Sequence, residues 1–217
     1  MNIRRMNTPK NFIILVPIFG VLFFVILYVF ATFFYPGGCN SDSTTKGFLW
    51  LSNYWCDLTG TLAKNGEMNA ARPIALFAML MLCCTLMIFW FYLPLLFHDL
   101  KTDKILIRYC GIASMIIAIF LFTSFHDIVI NIAGALGVMA LTKTFIGLFK
   151  NKRYGLFALG VFSLTEMLFN FIIYKASLLI PFQPIIQKMT FVFFFLWISL
   201  VDFHLYRTLT LKLDKEQ

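Results

Sequence analysis

The sequence predicts an all-α protein: a polytopic six-helix transmembrane bundle with an amphipathic helix in its outer loop. Three observations predict it. Of 217 residues, 60% are apolar and 13% charged, where a soluble domain carries roughly a quarter charged residues. The apolar residues gather into six runs of about 20, the length a helix needs to cross the hydrocarbon of a bilayer. The basic residues stand in small groups between those runs, as in chains that fix a membrane orientation. The formal charge of +8 is therefore no sign of nucleic acid. Neither a basic stripe nor a reading motif accompanies it, and no nucleic-acid partner is expected.

The chain reads as a single transmembrane domain, residues 1–217. The first span covers about residues 12–34, after Arg4, Arg5 and Lys10. It is too long for the apolar core of a signal peptide and has no clear small-residue cleavage site after it, so it is expected to be retained. A polar outer loop, residues 35–72, follows. Within it Phe48, Leu51, Tyr54, Trp55, Leu58 and Leu62 recur at helical spacing, with Asn53, Asp57, Gly60 and Lys64 on the other face. This pattern predicts an amphipathic helix over 48–62, stopped by Asn65-Gly66. The second span covers about 73–97, with Pro73 where a helix start tolerates it. A charged turn from His98 to Lys104 leads to the third span, about 105–122. Residues 123–127 make a tight turn into the fourth, about 128–149. The turn Lys150-Asn151-Lys152-Arg153 precedes the fifth, about 154–174. A proline-containing connection, 177–187, leads to the sixth, about 189–208, and a polar tail.

Orientation follows from the 18 Lys and Arg residues. With the N-terminus inside, only Lys46, Lys64, Arg72, Lys175 and Lys188 fall in outer segments, although those segments are longer. The bias places both termini in the cytoplasm, and a bacterial cytoplasmic membrane is the expected location. Tyr35, Trp90, Tyr92, Tyr109, Tyr154, Tyr174 and Tyr206 stand near predicted span ends, as an interfacial aromatic belt does. No internal repeat of the kind many transporters carry is visible. Of the five cysteines, Cys39 and Cys56 share the outer loop. An outside location permits a disulfide between them, and the sequence leaves a pair or two thiols equally open.

Ionisable residues within spans are costly and mark candidate sites. Asp127 and Asn131 lie one turn apart on the fourth helix. Ser163, Glu166, Asn170 and Tyr174 form a stripe on the fifth. Glu166 lies about nine residues, or roughly 14 Å, below its outer end. The two stripes predict an outward-facing polar pocket lined by Asn131, Glu166, Asn170 and Tyr174. Ser124 and His126 stand at its mouth, with Asp57 and Asn69 above. The same residues also suit plain hydrogen bonding between helices. A second polar group, His98, Asp99, Asp202 and His204, is expected at the inner edge, solvated at headgroup depth.

The stretches Tyr35-Pro36-Gly37-Gly38, Asn53-Tyr54-Trp55-Cys56-Asp57-Leu58, Asn65-Gly66 and Asn69-Ala70-Ala71-Arg72-Pro73 resemble a family of uncharacterised bacterial six-helix membrane proteins. That family is distantly similar to the FRAG/DRAM/Sfk superfamily. His126-Asp127, opening the fourth helix, fits the same pattern. The resemblance implies a six-helix bundle and supplies no mechanism. Ser124-Phe125-His126-Asp127 also looks faintly like part of a membrane-embedded zinc hydrolase of the ceramidase type. The chain has only three His, however, and the predicted topology puts His126 outside and the other two inside. Such residues cannot share a metal across about 30 Å of hydrocarbon, so no metal and no cofactor is expected.

Three functions follow. The first is a non-catalytic protein binding membrane lipids, or a membrane protein partner, through the outer pocket. The second is an enzyme acting on a lipid headgroup, with His126, Asp127 and Asp57 as its acid–base apparatus. The third is a small proton-linked transporter using Glu166. No phosphate loop, nucleophile elbow or CxxC supports a particular reaction, so the balance leans away from an enzyme.

Overall fold

The computed structural model describes residues 11–97, 101–123, 125–176 and 179–213. Six long helices follow in chain order. Helix α1 (Val16–Thr32) is entered through a 3-10 segment, Asn11–Leu15. Helix α2 (Arg72–Tyr92) runs on through a 3-10 turn at Leu93–Leu96, and α3 (Lys101–Ala118) through one at Ile119–Phe122. Then come α4 (His126–Lys150), α5 (Tyr154–Ala176) and α6 (Gln183–Leu213). All six are long and apolar enough to cross a membrane, which makes the chain all-helical and multi-pass. Among the described residues the only β-pairing is two isolated bridges, Gly37 with Lys46 and Leu62 with Met68.

Prolines sit where the helices can accept them. Pro17 and Pro73 fall in the first turns of α1 and α2, where an amide N–H has no helical partner to lose. The same rule explains one departure from the sequence reading. The connection expected over 177–187 is shorter, because α6 starts at Gln183 with Pro184 in its first turn. The helix also runs on to Leu213 at its other end.

A second departure concerns the outer loop. The amphipathic helix expected over 48–62 shrinks to a five-residue 3-10 turn, Trp55–Thr59. Two side chains intervene. Asn53 Oδ1 accepts the Leu49 N–H at 2.9 Å, and Asp57 Oδ2 accepts the Tyr54 N–H at 2.9 Å. Asn and Asp bonded in this way offer the backbone an alternative to helical bonds.

The helices pack as α1 with α2, α3 with α4 and α5 with α6. Gly20 lets α1 approach α2, since a Cβ there would overlap the Thr85 side chain. Ser114 Oγ on α3 donates to Ala133 O on α4 at 2.7 Å, and Lys143 pairs with Asp103 at 2.8 Å. At the centre stands fully buried Trp197 of α6. Its indole Nε1 donates to Leu156 O on α5 at 2.9 Å. Its ring meets Phe145 of α4 edge-on at 5.6 Å and Phe89 of α2 at 6.4 Å. Edge-to-face pairs of this kind each add about 0.5–1.5 kcal/mol beyond burial.

Hydroxyls on the spans bond back one turn: Thr144 to Ala140 O, Ser163 to Leu159 O and Thr190 to Ile186 O. In hydrocarbon no water would otherwise satisfy them. Helix α2 is central and α5 peripheral, with 44% and 17% of their apolar windows buried. Phe19, Leu22 and Ile26 on α1 and Phe169 and Ile172 on α5 are exposed, forming an apolar girdle suited to lipid tails. Helices α4 and α5 meet near their connecting turn through Phe149–Tyr154, Phe149–Phe157 and Phe145–Phe157 ring contacts.

Candidate functional site

At the end of the bundle opposite the Lys150–Arg153 turn, residues 35–71 fold into a cap. Gly38 shows why the chain can turn tightly here. Its φ is +80°, and a Cβ would run into the backbone at Lys64 and Asn65. Tyr35 is buried, and its hydroxyl oxygen accepts the Lys64 N–H at 3.0 Å.

Asn53 is fully buried at the centre of the cap. Besides accepting from Leu49, its amide donates to Gly38 O at 2.8 Å and to Asp57 Oδ2 at 3.1 Å. The other Asp57 oxygen faces Lys64 Nζ at 3.7 Å. Asn69 closes the far side. Its Nδ2 donates to Asp57 O and Gly60 O, each at 3.0 Å, and its Oδ1 accepts the Ala71 N–H at 3.1 Å.

Three side chains from the first turns of α6 seat the cap. Gln183 Oε1 accepts the Tyr54 hydroxyl at 2.8 Å, and Gln187 Oε1 accepts the Trp55 N–H at 3.0 Å. Lys188 Nζ donates to Asn53 O at 2.6 Å and to Pro184 O at 3.0 Å. Below this latch the Trp55 ring stacks on Phe191 at 5.3 Å and meets Tyr28 at 5.4 Å and Phe24 at 6.0 Å. Burial pushes both cap tyrosines, Tyr35 and Tyr54, above the ordinary phenol range. The neighbouring Asp57 carboxylate adds to the rise in each.

The sequence-predicted residues divide between two places. Asp57 and Asn69 belong to the cap's internal network, where they organise backbone. Asp57, a candidate acid or base, has both oxygens beside polar neighbours within the loop. Asn131 is exposed on α4. Glu166 and Asn170 are half-buried one turn apart on α5, and Tyr174 is exposed. No hydrogen bond among the described residues joins these four to Asp57 or Asn69. Glu166, Asn170 and Asn131 have no hydrogen-bond or ion-pair partner among the described residues. Ser124 lies outside the described residues. Of His126 and Asp127 only the backbone, opening α4, is described.

Cys39 and Cys56 do not pair. Both are free thiols, with Cys39 Sγ 3.1 Å from Ser41 Oγ and Cys56 Sγ accepting from Gln187 Nε2 at 3.8 Å. The Ser41 hydroxyl holds the Cys39 thiol below its usual value.

The inner polar group also changes. His98 and Asp99 lie outside the described residues. Asp202 is 1% exposed, and neither of its carboxyl oxygens has a hydrogen-bond partner among the described residues. The expected solvation at headgroup depth therefore does not hold for it. Gln183, Gln187 and Lys188 were not legible as a site, because 177–187 read as a connection. Their four- and five-residue spacing was the available signal. Among the described residues no three His, Cys, Asp or Glu side chains converge as a metal set would.

No family model matches this chain, no curated protein matches it, and no solved structure matches it.

Proposed function

We propose that this protein binds a membrane lipid beside the outer half of α5 in a non-catalytic role. The observation that carries the reading is the pair Glu166 and Asn170, half-buried one turn apart in mid-span. Neither has a protein hydrogen-bond partner among the described residues. A polar or ionisable side chain in hydrocarbon is costly without a partner. A lipid carrying hydroxyl or ammonium donors near its head supplies one. Glu166 accepts from those donors, and Asn170 both donates and accepts. The peripheral position of α5 leaves a lateral route from the bilayer to this stripe, so a lipid reaches it without crossing the bundle.

The setting belongs to the same reading: a bacterial cytoplasmic membrane, with both termini in the cytoplasm and the cap outside. The distribution of Lys and Arg supports it. Kinship with the bacterial six-helix family is also part of the proposal. Most of the stretches that carry that resemblance are cap residues, which serve here as scaffold above the bundle, and His126-Asp127 opens α4. The test is the lipid that copurifies with the protein, identified by mass spectrometry. Wild-type protein is expected to retain a defined lipid class through detergent exchange, and Glu166→Ala with Asn170→Ala to lose it. Equal retention by both proteins would remove the basis of the reading.

A further inference from the structure

At the opposite end of the bundle, α5 begins at Tyr154 directly after Arg153, with no acidic residue in its first turn. The first amide groups of such a helix point outward and carry partial positive charge. Alongside, α6 presents His204, Arg207, Thr208 and Leu211 at three- and four-residue spacing, which is one helical stripe. Together with Arg153 they line a cavity of about 380 Å³. The Trp197–Leu156 hydrogen bond, two turns up α6, fixes the two helices side by side.

The lining is unbalanced in charge. Arg153 and Arg207 have no ion-pair partner among the described residues. The His204 Nε2 atom is buried and has no hydrogen-bond partner among the described residues. Thr208 Oγ1 donates to His204 O at 2.9 Å, which holds the stripe in register. No carboxylate is among the lining residues. Asp202 lies on α6 two residues before His204, about 200° around the helix, and does not line the cavity. Two arginines and a histidine thus gather at the cavity, and among the described residues no carboxylate lines it.

We infer that this cavity is a binding site for a phosphate group. The planar guanidinium fork matches phosphate oxygens in pairs. The group is borne either by an anionic phospholipid headgroup or by a soluble phosphate. Leu211 is 55% exposed beside the cavity, which favours the lipid, since it gives the first acyl carbons an apolar wall. Basic pockets between membrane helices take such headgroups. The site is separate from the α5 stripe, at the other end of the bundle, and stands or falls independently of it.

The test uses the full chain in nanodiscs of phosphatidylcholine with a minor share of phosphatidylglycerol, followed by detergent extraction and native mass spectrometry. Wild-type protein is expected to carry phosphatidylglycerol in excess of its share. Arg153→Gln with Arg207→Gln is expected to lower that excess by about tenfold or more, a loss of one strong contact or more. Lys150→Gln with Lys152→Gln removes the same charge from the same end and is expected to change it by less than about threefold, as a screened surface effect. The single Arg variants, each expected to fall between, serve if the double variant does not fold. A second arm titrates inorganic phosphate into protein in pure phosphatidylcholine nanodiscs. Saturable phosphate binding that both Arg variants weaken, without lipid enrichment, assigns the site to a soluble phosphate. Equal enrichment in wild type and Arg variants, equal loss in the Lys control, or no binding in either arm overturns the proposal. The two sites are told apart by their variants: phosphatidylglycerol excess or phosphate binding lost in the Arg variants reports on this cavity, and copurified lipid lost in Glu166→Ala with Asn170→Ala reports on the α5 stripe.

Discussion

Lys188 Nζ lies 2.6 Å from the carbonyl oxygen of Asn53, so one ammonium group on α6 holds the centre of the cap. The same nitrogen donates to Pro184 O and stands 5.8 Å from the centre of the Phe48 ring. Lys188 is thus anchored to its own helix while it holds the loop. The Lys188→Met variant keeps the apolar stem and removes the donor. Hydrogen bonds to charged groups contribute about 1.5–3 kcal/mol each, and a loss in the lower part of that range is expected, because water can reach part of the site. The check is a melting curve of the protein in nanodiscs. An unchanged midpoint would show that the latch does not hold the cap.

Asn53 carries a heavier share. Its side chain satisfies the Leu49 N–H and Gly38 O in a buried setting, and each such group left unpaired costs about 1–3 kcal/mol. Asn53→Ala is therefore expected to cost more than Asp57→Asn, which keeps an acceptor oxygen for the Tyr54 N–H. Hydrogen exchange over residues 35–71 measures both. The ordering Asp57→Asn above Asn53→Ala would contradict the network described.

The two cap tyrosines predict an alkaline limit. Burial raises both above the ordinary phenol value, so the folded cap holds those protons more tightly than the unfolded chain does. The stability this contributes is fully present below the unfolded value, near pH 10, and is lost as pH rises through the raised folded value. Phenolate absorbance, compared between wild type and Tyr35→Phe, should place Tyr35 ionisation above the ordinary range and coincident with loss of exchange protection in the cap. Ionisation in the ordinary range with the cap intact would contradict the burial of Tyr35.

Gly20 predicts a packing defect between α1 and α2. A Cβ at this position overlaps Thr85 across the α1–α2 contact. Overpacking of a close contact typically costs about 1–3 kcal/mol, and Gly20→Ala is expected to fall in that range. Gly134, where an added Cβ meets nothing within 4 Å, is the control. Gly134→Ala should leave the melting midpoint unchanged or raise it, since alanine favours a helix over glycine.

The spans were legible because each apolar run is long and bounded by polar residues, which is a one-dimensional signal. The ends of α6 were not, because Pro184 reads as a break unless one knows it falls in the first helical turn. The cap helix was overread for a different reason. Phe48, Leu51, Tyr54, Trp55, Leu58 and Leu62 do recur at helical spacing. Asn53 and Asp57, however, bind backbone within the loop, and spacing cannot weigh that competition. Trp55 and Leu58 are buried all the same, by a 3-10 turn rather than an α-helix. The helix that carries Glu166 and Asn170 one turn apart was legible from its apolar run. The cavity at Arg153 was not, since its lining joins the start of α5 to the end of α6, and only their packing brings these together.

The most direct test of lipid binding at α5 is photo-crosslinking with a diazirine-bearing phospholipid in nanodiscs, mapped by peptide mass spectrometry. The account predicts adducts concentrated on the segment holding Glu166 and Asn170, and markedly fewer there in Glu166→Ala with Asn170→Ala. Adducts spread evenly over the exposed faces of α1 and α5, unchanged by that double substitution, would contradict it.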